Sequence, residues 1–296
     1  MSRGRQAADA AGGVQARGFR AELVGCLSEG ADGNPTVAMI EAAFADYELP
    51  WRYVNLEVAP GGLEDAVKGA WAMGFRGFNL SMPHKVSVIP FLGGLGESAA
   101  EIGAVNCVVR RDGRFIGENT DGKGFLASLQ PLADPRGKRV VLLGAGGAAR
   151  AIAVELARAG AGRITVVNRS EARGADLVRT LLRHPRVEAR LEPWRGDYPI
   201  AEDSHIVING TSLGLYDPRE RVPVDLASLR PGMVVADVVF SPPRTRLLRE
   251  AESQGCATLD GLGMLVNQGV IGVRYWTGIE PDAGVMRRAL EQALGR

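Results

Sequence analysis

The stretch Val140-Val141-Leu142-Leu143-Gly144-Ala145-Gly146-Gly147-Ala148-Ala149-Arg150 decides the fold. Four apolar residues without alternation read as a strand buried on both faces. Gly144 permits a tight turn, Gly146 lets a pyrophosphate approach the backbone, and the small Ala149 lets the next helix pack on the strand. Phosphates would rest on the free N–H groups of a helix opening near Gly147. Gly144, Ala145, Gly146, Gly147 and Ala148 are thus expected to hold a dinucleotide.

The next strand pattern, Ile164 to Val167, runs into Asn168-Arg169-Ser170-Glu171-Ala172-Arg173. A site for NAD would carry Asp or Glu at the end of this strand to bind the ribose 2′-hydroxyl. Asn168 and Arg169 stand there instead. Arg169 and Arg173, four residues apart at a helix start, can face one phosphate together with the Ser170 hydroxyl. This favours NADP, with NAD still possible.

On both sides the chain alternates strand and helix, the signature of parallel strands with crossover helices. The expected strands before the fingerprint are Phe19 to Leu27, Trp51 to Val58 and Gly77 to Leu80. Between them lie helices Val37 to Tyr47 and Leu63 to Met73, followed by short helices Lys85 to Leu92 and Ser98 to Gly103. Asp112-Gly113 marks a hairpin turn. A helix then leads from Asp121 to a Pro, Asp and Gly linker at Pro131 to Lys138. After the fingerprint, strands are expected at Val187 to Leu191, Ile206 to Ile208, Val234 to Asp237 and Ala257 to Leu259. Helices Leu262 to Thr277 and Asp282 to Leu294 close the chain.

The expectation is two α/β domains with a cleft between them. Residues 19–121, completed by 262–296, form a substrate domain with a mixed, mostly parallel sheet, and residues 122–261 a Rossmann-type dinucleotide domain. Residues 1–18, rich in Ala, Gly and Arg without periodicity, read as a disordered tail.

Of the 296 residues 46% are hydrophobic and 23% charged, with a formal net charge of +1. That balance gives no field for nucleic acid or a membrane surface, and no run approaches the roughly 18 apolar residues of a membrane helix. A cytoplasmic enzyme, monomer or homodimer, with a small-molecule substrate fits best. Cys26, Cys107 and Cys256 sit far apart in apolar runs and read as buried hydrophobes. His84, His184 and His205 lack ligand spacing, so no metal is expected.

Two stretches look too specific for scaffolding: Asn79-Leu80-Ser81-Met82-Pro83-His84-Lys85, and Ile102-Gly103-Ala104-Val105-Asn106 continued by Gly117-Glu118-Asn119-Thr120-Asp121-Gly122. With the glycine fingerprint, Asn209-Gly210-Thr211-Ser212 and Asp260-Gly261-Leu262-Gly263-Met264-Leu265-Val266-Asn267-Gln268, the chain resembles the shikimate dehydrogenase family from about Phe19 to its end. The resemblance implies hydride transfer between NADP(H) and a ring hydroxyl of shikimate or a similar cyclic acid. It implies Lys85 and Asp121 as the catalytic pair, Asn106 and Gln268 on ring hydroxyls, and Asn79 and Ser81 lining the pocket. Thr211 and Val238 would touch the cofactor, and the Gly261 carbonyl would bond the nicotinamide amide.

The chemistry needs such groups in any case. A secondary alcohol losing hydride must also lose its hydroxyl proton, so a donor or acceptor must lie within reach of that oxygen. Lys85 would polarise the oxygen and transfer the proton, with Asp121 orienting it. Taken singly, Lys85 could be a surface lysine at a helix start and Asp121 an N-cap ahead of Gly122.

The family's Ser-x-Ser-Pro, whose hydroxyls bind the substrate carboxylate, is replaced by Asn34-Pro35-Thr36-Val37. Asn34 and Thr36 could still receive an anion, with different reach. Phe240 stands at the family's tyrosine position, and Ser81 replaces a threonine. Quinate, amino-shikimate or another cyclitol acid is therefore an alternative substrate. A metabolite-sensing protein without turnover is a further one, against which the retained Lys85 and Asp121 argue.

Overall fold

The computed structural model describes residues 20–295, so the expected tail at 1–18 lies outside the described residues. Two six-stranded sheets organise the chain.

The first sheet uses β1 (Glu22–Ser28), β2 (Trp51–Glu57), β3 (Gly77–Leu80), β4 (Gly94–Leu95), β5 (Cys107–Arg111) and β6 (Arg114–Glu118) in the order β2-β1-β3-β5-β6-β4. β1 runs parallel to β2 and β3, whereas β5 is antiparallel to β3 and β6, so the sheet is mixed. The β5–β6 hairpin turns at Asp112 and Gly113, both with positive φ (49° and 69°), as Asp-Gly favours. Around the sheet lie α1 (Thr36–Asp46), α2 (Leu63–Ala72), α3 (His84–Ser87) and α4 (Glu97–Ile102). The helix expected over Lys85 to Leu92 breaks instead into α3 and a 3-10 turn, Ile89–Phe91, because Pro90 supplies no N–H and disfavours helix at Ile89.

α5 (Asp121–Leu129) carries the chain to the second sheet: β7 (Arg139–Leu143), β8 (Arg163–Asn168), β9 (Glu188–Pro193), β11 (Ile206–Asn209), β13 (Val234–Asp237) and β14 (Ala257–Leu259). All pairings are parallel and the order is β14-β13-β11-β7-β8-β9, the doubly wound arrangement. A short ribbon pairs β10 (Tyr198–Pro199) with β12 (Val224–Asp225). The helices here are α6 (Gly147–Arg158), α7 (Glu171–Leu181) and α8 (Arg246–Ser253). α8, whose inward face is Leu247, Leu248 and Ala251, stands outside the helices expected from sequence.

β7 is buried on both faces as expected. Val140 and Leu142 join a core with Phe125, Ile152 and Leu156, while Val141 and Leu143 join another with Val207, Val235 and Leu248. The closing helices α9 (Gly261–Thr277) and α10 (Ala283–Ala293) return to the first sheet, where Val266, Val270, Trp276 and Met286 pack with Val24, Met39 and Phe44. α5 and α9 cross so closely that a Cβ on Gly124 would lie 2.6 Å from the Gln268 nitrogen. These two helices carry Asp121 and Gln268 between the sheets.

Candidate active site

Lys85 and Asp121 come from different elements and meet. Lys85 sits on α3, fixed to the main chain of the Ala104-Val105-Asn106 stretch by the Val105 N–H, which donates to the Lys85 carbonyl at 2.7 Å. Its Nζ lies 2.7 Å from Asp121 Oδ2, with side-chain exposures of 33% and 14%. The pair is half-sheltered, yet open enough to meet a substrate. Asp121 is not the N-cap its sequence context suggests: Thr120 holds that place and makes no side-chain cap bond. The Asp121 carboxylate accepts instead from Lys85 and, at 2.8 Å, from Asn106 Nδ2.

Asn106 knits the site together. Its Nδ2 also donates to Thr120 Oγ1 at 2.9 Å, its Oδ1 accepts from the Thr120 N–H at 2.6 Å, and its carbonyl accepts from Asn79 Nδ2 at 3.0 Å. Tyr53 donates to Asn79 Oδ1 at 2.9 Å. Gln268 Nε2 donates to the Leu265 carbonyl, and its Oε1 lies 3.4 Å from Thr120 Oγ1. Asn34, Thr36, Asn79, Ser81, Lys85, Asn106, Asp121 and Gln268 all line one cavity of about 530 Å³. Met82, Leu215 and Phe240 line it too, and also a second cavity of about 570 Å³. The two therefore adjoin.

The second cavity is lined by Gly144 to Ala148, Asn168, Arg169, Arg173, Thr211 and Val238. The glycines act as their positions demand. Gly144 has φ +104°, whereas a Cβ on Gly146 or Gly147 would meet no protein atom within 4 Å, leaving the helix start bare toward the cavity. Ala149 presses its Cβ on Gly210, where any larger pair would clash: a Cβ on Gly210 would come within 2.9 Å. A bare amide-rich loop beside Arg169 and Arg173, both exposed at the rim, fits a dinucleotide pyrophosphate and a further phosphate.

Two residues expected to contact the cofactor stand outside the cavity's lining residues. The Ser170 hydroxyl caps α7, accepting from the Arg173 N–H at 3.5 Å, and Ser170 is not among the cavity's lining residues. Gly261 opens α9 packed against the Val238 and Val239 carbonyls, each 2.5 Å from where its Cβ would be, and likewise stands outside the lining. Its close packing, rather than cavity exposure, requires glycine.

Other residues of the site have no signal in sequence. Cys26, Ser28 and Glu29 line the first cavity, and Tyr216 does so with φ 64° and its ring edge-on to Phe240 at 6.3 Å between centroids. Asp237, 1% exposed, accepts from Asn209 Nδ2 (2.9 Å), Thr245 Oγ1 (2.8 Å) and the Val239 N–H (3.0 Å). Burial nevertheless dominates and raises its carboxyl to about 6. Asn209 in turn holds Thr211 through its N–H at 3.1 Å and its hydroxyl at 2.6 Å, so this network sets the cofactor-side ends of β11 and β13.

Comparison with known proteins places the fold in one family. Residues 35–108 match the shikimate dehydrogenase substrate-binding domain, residues 128–213 shikimate/quinate 5-dehydrogenase, and residues 261–291 the shikimate 5′-dehydrogenase C-terminal domain. A shikimate dehydrogenase (NADP(+)) of Desulfitobacterium hafniense is 43% identical over 86% of this chain and 92% of its own. Among solved structures, 5-ketofructose reductase of Gluconobacter sp. strain CHM43 in ligand-free form is 52% identical with a TM-score of 0.91, covering 93% of this chain and 99% of that one. Shikimate 5-dehydrogenase of Thermus thermophilus in complex with NADP(H) and shikimate is 31% identical with a TM-score of 0.81, covering 92% and 99%. With the substrate-side and glycine-loop motifs matched in order and the two-sheet fold shared along nearly the whole chain, the protein belongs to the shikimate dehydrogenase family.

Proposed function

We propose that the protein is an NADP-dependent oxidoreductase acting between the cofactor and a ring hydroxyl of a shikimate-like polyhydroxylated compound. The observation that carries this reading is the 2.7 Å Lys85–Asp121 pair in a cavity that adjoins the bare glycine loop. Gly144 to Ala148 and Thr211 would hold the cofactor, with Arg169 and Arg173 on its extra phosphate. NADP, when bound, supplies or accepts the hydride at its nicotinamide.

The chain's own groups handle the proton and the orientation. Lys85 Nζ donates toward the substrate oxygen, stabilising the alkoxide as it forms and passing the proton to or from it. Asp121 holds that ammonium in place and, with Asn106 fixed on Thr120, keeps the pair aimed into the cavity. Gln268 lines the same cavity and meets a ring hydroxyl.

A second reading concerns the substrate's far end, and the anchor favours it. The Asn34 side chain is engaged within the protein, Nδ2 donating to Cys26 Sγ at 3.1 Å and Oδ1 accepting from the Thr36 N–H at 3.0 Å. Lys85 is the single cation among the cavity's lining residues, against the carboxylates Asp121 and Glu29. Such a lining suits a neutral polyhydroxy ketone better than an acid. The 52% identity to a 5-ketofructose reductase supports the same choice, that ketone having no carboxylate. The test follows NADPH oxidation with 5-ketofructose and NADP⁺ reduction with shikimate. Turnover of shikimate alone selects the acid, turnover of 5-ketofructose alone selects the neutral ketone, and silence with both refutes the proposal.

A further inference from the structure

Six buried side-chain polar atoms among the described residues have no hydrogen-bond partner: Ser28 Oγ, Asn55 Oδ1, His84 Nδ1, Ser98 Oγ, Glu155 Oε1 and one nitrogen of Arg230. Of these residues, Ser28 alone lines the substrate cavity. It ends β1 and is 2% exposed. Its carbonyl is paired with the Val58 N–H at 2.9 Å, so the backbone there is fixed while the hydroxyl is left over. Its polar neighbour on the same face of β1 is the Cys26 thiol, a weak hydrogen-bond partner that also receives the Asn34 amide at 3.1 Å, so Ser28 Oγ has no oxygen or nitrogen partner within the protein. A buried hydroxyl with nothing better than a thiol to bond is poorly satisfied, and folded proteins rarely keep one without reason.

We infer that Ser28 is a substrate-contacting, specificity-determining residue, whose Oγ bonds a hydroxyl of the substrate on the side of the cavity built from β1. The inference rests on the oxidoreductase reading and deepens it. Ser28 lies away from the Asn34-Pro35-Thr36 anchor in sequence, yet β1 and the start of α1 bring both to one cavity wall. With Asn34 bound to Cys26 and Thr36, Ser28 and Thr36 supply the hydroxyls at that wall. A serine both donates and accepts, which matches an alcohol. Glu29 on the same rim opposes a carboxylate there. The group met by Ser28 is therefore an uncharged hydroxyl of a polyhydroxylated ring or sugar ketone.

The test compares wild type with Ser28→Ala, using 5-ketofructose with NADPH and shikimate with NADP⁺. For whichever compound is turned over, KM should rise about tenfold, as loss of one hydrogen bond implies, with kcat within about threefold. NADPH affinity should be unchanged, and the ligand-free melting temperature should equal or exceed that of wild type. An unchanged KM overturns the inference. So does a melting temperature several degrees lower, which would make the hydroxyl a structural one. If wild type turns over neither compound, the functional reading fails separately. Ser28 is then decided by the ligand-free melting temperature alone, where equality or a gain supports an oxygen kept for a ligand.

Discussion

Lys85 and Asp121 are 36 positions apart and yet form the charge pair on which the proposed chemistry rests. Replacing Lys85 by Met keeps the length of the side chain and removes the proton. We expect kcat to fall by about 10²- to 10⁴-fold, the usual contribution of positioned acid–base groups. NADPH affinity, measured by fluorescence titration, should stay within about twofold, and near-normal turnover would remove Lys85 from the mechanism. Asp237 gives a prediction of the opposite kind, in stability. Its buried carboxyl titrates at about 6 against an ordinary 3.8, so the folded protein holds the proton more firmly than the unfolded chain does. The stability from this group is full below the unfolded value and is lost as pH rises through about 6. Asp237→Asn, which retains an acceptor for Asn209 and the Val239 N–H, should gain at most about 3 kcal/mol over wild type at pH 7.5. The gain should shrink to about a third of that by pH 4.5. Urea unfolding at the two pH values checks it, and a gain independent of pH would show that the carboxyl titrates normally.

Among the elements, the crossing of α5 over α9 makes a demand on a single position. A Cβ at Gly124 would fall 2.6 Å from the Gln268 nitrogen and 2.8 Å from the Met264 carbonyl oxygen, both backbone atoms that cannot turn aside. Gly124→Ala should push the helices apart, at about 1 to 3 kcal/mol, and lower the melting temperature by about 5 °C. Because α5 begins at Asp121 and α9 carries Gln268, kcat/KM should fall as well; full activity with a normal melting temperature would show that the crossing yields freely. Most elements are legible in the sequence because their patterns are local. β7 shows as four unbroken apolar residues, and the β5–β6 turn as Asp112-Gly113. The short helix after Pro83 is overread because the apolar spacing continues through Pro90, whose ring overrides it. α8 escapes because it is only eight residues long, half of them charged, although Leu247, Leu248 and Ala251 fall on one buried face.

At the scale of the whole molecule the cleft is where reading a sequence runs short. Lys85, Asp121, Asn106 and the glycine loop lie within contiguous motifs, so the roles proposed for them can be read before the fold. Ser28, Glu29 and Tyr216 have no such context; they become site residues only because β1, the Thr211 loop and α9 converge on one space, an effect of long-range packing. The cofactor side allows a measurement on the entire fold. A ligand held at 100 times its Kd and bound only by the native state stabilises it by about 2.7 kcal/mol. For a chain of 296 residues that is a rise of about 4 °C in melting temperature. NADP⁺ should give such a rise and NAD⁺, at equal concentration, a smaller one. In the double variant Arg169→Gln, Arg173→Gln, the rise with NADP⁺ should fall to that with NAD⁺, since the exposed guanidinium pair then offers nothing to the additional phosphate. Loss of both responses together would instead mean that the arginines hold the loop after β8, and that preference for the phosphorylated cofactor has another source.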